Sequence, residues 1–197
     1  QNGLDDPLRV DAAPLTNITP KILASVFQVS ENNPLVGLEE RAKLLNELGQ
    51  ALIRHKYMFE FGDALRPGNL FDYFLQRQEK GVLAAREILI AILKSMGEIW
   101  PDGSWVDSIA IGDAAYHEAV KRSDITDRIV PFHKLSQWMS YSLIEPLQLA
   151  GMKIIHLDAL TGLAEYRNGG LFIDTGTISL RDKTEMETLH DPKSPLI

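Results

Sequence analysis

From Gly37 to about Lys56 the apolar positions Leu38, Ala42, Leu45, Leu48 and Leu52 recur at helical spacing, with charges on the opposite face. Thr19-Pro20 reads as an N-cap followed by a first helical residue, which predicts a short helix over Lys21 to Val29. Ser30 to Pro34 is a turn and Phe59 to Gly68 a connection. Asn69 is positioned to cap a helix carrying Leu70, Tyr73 and Phe74, which Gly81 would stop. Val82 to Trp100 reads as a second strong helix ended by Pro101, and Asp113 to Lys121 as a weaker one. Pro131 to Ala150 predicts a further helix, kinked or ended near Pro146 and stopped at Gly151.

Extended runs appear only in the tail, at Lys153 to Leu157, Leu171 to Asp174 and Thr177 to Leu180. Asp191 to Pro195 reads as a frayed polar end. The pattern predicts a mainly α-helical single domain over residues 1–197, with a small β element near the C-terminus. It contains no internal repeat and no heptad array.

Composition narrows the chemistry. Apolar residues make up 45% of the 197 residues, enough for a sizeable core. A net charge of −7 argues against general nucleic-acid binding, which depends on basic side chains meeting phosphates. With no cysteine, disulfides, thiolate catalysis and cysteine-bound clusters are excluded. No apolar run reaches membrane-spanning length, and the first residues lack the pattern of a secretory signal. The expectation is a cytoplasmic protein that uses a small-molecule substrate, with no cofactor, bound metal, nucleic acid or membrane. Asp113 and His117, four apart, could share one helix face as metal ligands, but such a pair is more often a surface hydrogen bond.

Two stretches carry the candidate chemistry. In VPFHKLSQWMSYSLIEPL, Val130 to Leu147, a helix would align His133, Gln137, Tyr141 and Ile144 or Glu145 along one side. Trp138 falls on the other side, with Leu135, Met139, Ser142 and Pro146, and is assigned to the core. His133 and Lys134 lie in the first turn, where free N–H groups favour an anion; Arg66, ahead of another helix start, is a third candidate anion binder. The alternative is a half-buried helix whose polar groups satisfy neighbouring loops. In LTGLAEYRNGGLFIDTG, Leu160 to Gly176, acidic and basic groups alternate with aliphatics and glycines. Desolvation there would tune Glu165 and Asp174 for general-base work or for stabilising a cationic transition state. Arg167 would orient one carboxylate, and a structural salt bridge is the competing explanation. Gln137, Tyr141 and Asn168 are placed to read polar groups of a substrate.

Together with NPLVGLEERAKLL (Asn33 to Leu45) and RPGNLFDYF (Arg66 to Phe74), these stretches resemble the uracil-catabolism family of the URC pathway, formerly a domain of unknown function. The resemblance runs from about Leu8 to Leu180. It implies a role in breaking down uracil through a ribosylated, ring-opened intermediate. It also implies association with other enzymes of the pathway, and a longer protein of which this chain is the C-terminal part. Leu163 to Arg167 is also similar to the Ala-Asp-Tyr-Arg stretch of queuosine-phosphate N-glycosylases, departing from it at Asn168-Gly169-Gly170. The resulting expectation is hydrolysis of a ribosylurea-type C–N bond, with Glu165 and Asp174 nearest the reacting sugar. The rival expectation is a non-catalytic scaffold of the uracil-degradation enzymes.

Overall fold

The computed structural model describes residues 8–100, 103–163 and 166–190, with the backbone alone at 166 and 167. Helix α1 (Ala12–Leu15) and helix α2 (Pro20–Val26) pack on the long α3 (Leu38–Arg54). As the sequence predicts, Thr19 caps α2: its Oγ1 accepts from the Ile22 N–H at 3.2 Å. The approach of α1 to α3 requires a glycine. A Cβ at Gly49 would sit 2.8 Å from the Thr16 backbone nitrogen.

Helix α4 (Lys56–Phe59) leads into a tight antiparallel pair, β1 (Glu60–Phe61) and β2 (Ala64–Leu65), and then into α5 (Leu70–Leu75). Asn69 does not cap α5 with its side chain. It is buried, and its Nδ2 donates to the carbonyls of Phe59 and Ala64, both at 2.8 Å, so it ties the loop together instead.

Val82 does not begin a helix. Residues Val82–Ala84 form β3, and α6 (Ala85–Met96) follows. β3 pairs in parallel with β8 (Lys153–Ile155), in the register Leu83↔Ile154. Local pattern could not reveal this, because the partner strand lies far along the chain. α6 ends before Gly97, whose missing side chain admits the Leu93 carbonyl and the Gly112 backbone.

The segment expected to be helical from Asp113 is not. Two short antiparallel pairs and their loops connect α6 to α7: β4 (Trp105–Val106) pairs with β5 (Ile109–Ala110), and β6 (Ala115–Tyr116) pairs with β7 (Ile129–Val130). Helix α7 (Lys134–Leu149) continues through Pro146 and stops before Gly151, whose φ is +92°. β8 supports the extended reading of residues 153–155. The rest of the predicted tail differs, since Leu171 to Asp174 belong to helix α8 (Tyr166–Asp174). Thr177 and Ile178 close its end by donating their N–H groups to the Phe172 carbonyl, so they make a helix stop and not a strand.

The architecture is mainly α, with two-stranded β pieces between the helices. Leu52, Phe59, Phe74, Leu83, Ile88 and Ile92 are fully buried where α3, α4, α5, β3 and α6 meet. Each contributes on the order of 1.5–3 kcal/mol by leaving water. α6 and α7 pack against each other, and this pairing positions the site described next.

Candidate functional site

α3 ends at Arg54, and His55 adopts a non-helical backbone between α3 and α4. That break turns its imidazole toward the end of α6. There His55 Nε2 lies 3.5 Å from Glu98 Oε1, and the other Glu98 oxygen takes the Arg54 Nε at 3.0 Å. Arg54 thus holds Glu98 as a carboxylate partner for the ring. His55 Nε2 is buried and makes no other polar contact among the described residues.

A second histidine–carboxylate pair is built from the opposite side. Gly112 (φ +73°) turns the chain after β5 and delivers Asp113 to the start of α7. Asp113 Oδ2 accepts from the Leu135 N–H at 2.5 Å and the Ser136 N–H at 3.3 Å, and Oδ1 accepts from the Ser136 hydroxyl at 2.5 Å. The same carboxylate lies 3.7 Å from His133 Nδ1, an ion-pair neighbour slightly beyond hydrogen-bond reach. Burial pushes the Asp113 carboxyl up, but His133, the Ser136 hydroxyl and the Leu135 N–H outweigh it and hold it below its ordinary value. Asp113 is therefore ionised at neutral pH. His133 itself adopts a left-handed backbone (φ 45°, ψ 43°), uncommon outside glycine and concentrated at sites where the surroundings enforce it.

Both imidazoles line one cleft of about 540 Å³, together with Lys94, Glu98 and the β4–β5 hairpin residues Trp105, Ser108 and Ile109. A cleft with two imidazoles, each backed by a carboxylate, can accept a proton at one ring and donate one at the other. Another hollow, of about 340 Å³ between α5 and α7, is lined by residues including Phe71, Phe74, Leu143 and Leu147 and offers no titratable group. Among the described residues no cluster of three or more His, Asp or Glu is placed to hold a metal ion.

The residues proposed from sequence are distributed differently. His133 lines the cleft. Lys134 is half-buried in the first turn of α7. The free N–H groups of that turn, expected to meet an external anion, are taken by Asp113. Gln137 and Tyr141 share a face as predicted, but both reach Thr161: Gln137 Nε2 donates to Thr161 Oγ1 at 2.9 Å and Tyr141 Oη to the Thr161 carbonyl at 3.0 Å. The two informative stretches are thus joined side chain to loop. Arg66 donates its Nε to Asn69 Oδ1 at 2.6 Å and braces the loop before α5.

Glu165 and the side chain of Arg167 lie outside the described residues. Asp174 and Asn168 are exposed on α8, as are Leu171 and Phe172, so the desolvation expected for Asp174 is absent. Trp138, assigned to the core from its helical row, is 61% exposed; α7 buries Ser136, Gln137, Ser140, Ile144 and Leu147 instead. The Asp113–His117 metal pair does not form either. Asp113 serves α7, and His117 Nδ1 accepts from the Ala119 N–H at 3.1 Å. His55 and Glu98 were missed, and Asp113 was singled out with the wrong partner, because their pairings are tertiary; the unusual polarity of the α7 face was the signal that pointed near them.

Residues 2–196 match the family described as "Protein of unknown function (DUF1688)". The chain belongs to that family. It is 39% identical over 189 residues to "Uracil catabolism protein 4" of Lachancea kluyveri, a match covering 90% of this chain and 43% of that protein. It is 35% identical over 196 residues to "Protein urg3" of Schizosaccharomyces pombe, covering 96% of this chain and 44% of that protein. The chain thus spans less than half the length of these relatives. No solved structure matches it. Among the described residues no helix is long and apolar enough to cross a membrane.

Proposed function

We propose that this DUF1688 chain acts in uracil catabolism and contributes a hydrolytic site for the C–N bond of a ribosylurea-type intermediate. The family relationship supports the pathway. The observation that carries the chemistry is the pair of imidazoles, each backed by a carboxylate, on one cleft. In the hydrolysis, one imidazole takes a proton from water as its oxygen attacks the anomeric carbon. The C–N bond breaks with its electron pair going to nitrogen, and the other imidazole, protonated, gives that nitrogen its proton. Free ribose and urea leave, and the two rings exchange protonation states, which solvent restores. His133, which faces the ionised Asp113, is assigned as the base. His55, beside Glu98, is the acid.

Incubation of the full-length protein with ribosylurea or its phosphate, followed by measurement of urea, tests this reading. Saturable urea release is expected. A loss of growth on uracil as nitrogen source after gene deletion, with normal growth on ammonia, is expected alongside it. The second reading, a non-catalytic partner of the other uracil-degradation enzymes, draws support from α8, whose Leu171 and Phe172 are 57% and 45% exposed. Absence of turnover together with tight binding to one of those enzymes would favour it.

A further inference from the structure

The β4–β5 hairpin has features that its role as a connection does not require. Its base is fastened on several sides. The Ser104 N–H donates to the Gly112 carbonyl at 2.9 Å and the Ile111 N–H to the Ser104 carbonyl at 2.8 Å. The Ser104 hydroxyl donates to the Ala114 carbonyl at 2.8 Å, and Tyr116 Oη donates to the Trp105 carbonyl at 3.1 Å. The base also rests on Gly97, just past the end of α6, where a Cβ would lie 3.5 Å from the Ala110 carbonyl.

The turn itself joins the strands through Asp107 (φ 44°) and Ser108 (φ 66°). Two successive left-handed residues match the twist of a tight hairpin, but that turn prefers Asn-Gly or Asp-Gly. A serine at the second position accepts backbone strain, and this serine lines the cleft. On either side of the turn, Trp105 is 54% exposed and Ile109 is 67% exposed, and both line the same cleft. A single exposed apolar residue needs no explanation. An exposed indole on a rigidly fastened hairpin, at a cleft carrying two buried-faced imidazoles, is a preformed flat wall.

We propose that Trp105 is a binding residue which stacks a planar, conjugated ureide group against the hairpin, Ile109 and Ser108 completing the wall. This rests on the reading of the cleft as the reaction site and names the part of the ligand that the wall holds. A ureide is flat and delocalised, so it gains from an indole face, while its N–H and carbonyl groups remain free for the polar side of the cleft. A sugar alone has no such face.

Equilibrium binding of ribosylurea and of ribose to the full-length protein, by calorimetry, tests the wall directly. Trp105→Leu should weaken ribosylurea binding about tenfold and leave ribose binding unchanged, while Trp105→Phe should stay within about threefold of the parent. In turnover, Trp105→Leu should raise KM with little change in kcat. Circular dichroism checks that the variants fold, which an exposed side chain allows. Equal affinity of Trp105→Leu and the parent for ribosylurea, or no saturable binding to the parent, overturns the proposal. The two readings fail separately. Weakened binding in Trp105→Leu with urea release indifferent to His133 leaves the wall standing and removes the acid–base pair, and the converse result removes only the wall.

Discussion

Asp113 Oδ2 accepts the Leu135 N–H at 2.5 Å while Oδ1 of the same carboxylate sits 3.7 Å from His133 Nδ1. One side chain, contributed from outside α7, therefore caps that helix and backs the imidazole that faces the cleft. The helix needs the cap because its own N-cap residue is His133, whose side chain makes no capping bond. Asp113→Asn keeps the size and removes the charge. It is expected to cost about 1–2 kcal/mol of stability, the scale of a lost cap, measured by urea denaturation with unchanged slope.

The same carboxylate sets an acid limit on the fold. Its folded value lies below the ordinary 3.8, so the stabilisation is complete at neutral pH and is lost as pH falls through the depressed folded value. Stability of the parent should fall on acidification below about pH 4. The parent-minus-Asp113→Asn difference should shrink over that range, followed by denaturation at a series of pH values. A difference that stays constant down to pH 2 would show that the carboxylate charge has no part in holding α7.

Thr161 is held by two side chains of α7, Gln137 and Tyr141. Gln137 is 3% exposed, and its Oε1 has no partner among the described residues, so the amide is committed to this contact. Thr161→Val should therefore cost about 1–3 kcal/mol by stranding the buried Gln137 amide. Hydrogen exchange should speed up in residues 160–163 more than in α6. Tyr141→Phe should cost less, about 0.5–1.5 kcal/mol, since Thr161 keeps its other bond.

Asp174 is exposed on α8, and this separates the cleft from the sequence-based site. Asp174→Asn is expected to leave urea release within about twofold of the parent, because a solvated carboxylate away from the cleft stabilises no transition state. A hundredfold fall would return the chemistry to the Leu160–Gly176 stretch.

What the sequence made legible was local. The Thr19-Pro20 start of α2, the amphipathic α3 and the Gly151 stop of α7 each follow from residues within one or two turns. Where the reading failed, the deciding partner was distant. Val82 and Leu83 join a strand because Lys153 and Ile154 pair with them, and Asp113 leaves its predicted helix to serve α7. Trp138 shows the limit of a helical wheel: its row stays largely exposed, and the face of α7 that is buried is the one carrying Ser136 and Ser140. The candidate site was half legible. His133 could be singled out by its place at a helix start, whereas His55 and Glu98 are ordinary polar residues until α3 and α6 bring them together.

The role proposed for His133 is to exchange the proton in the cleft. Its most direct test is urea release by full-length His133→Asn, with ribosylurea binding measured in parallel. A fall in kcat of about a hundredfold or more is expected, with ribosylurea still bound within a fewfold of the parent. A His133→Asn protein that folds and releases urea at the parent's rate would contradict it.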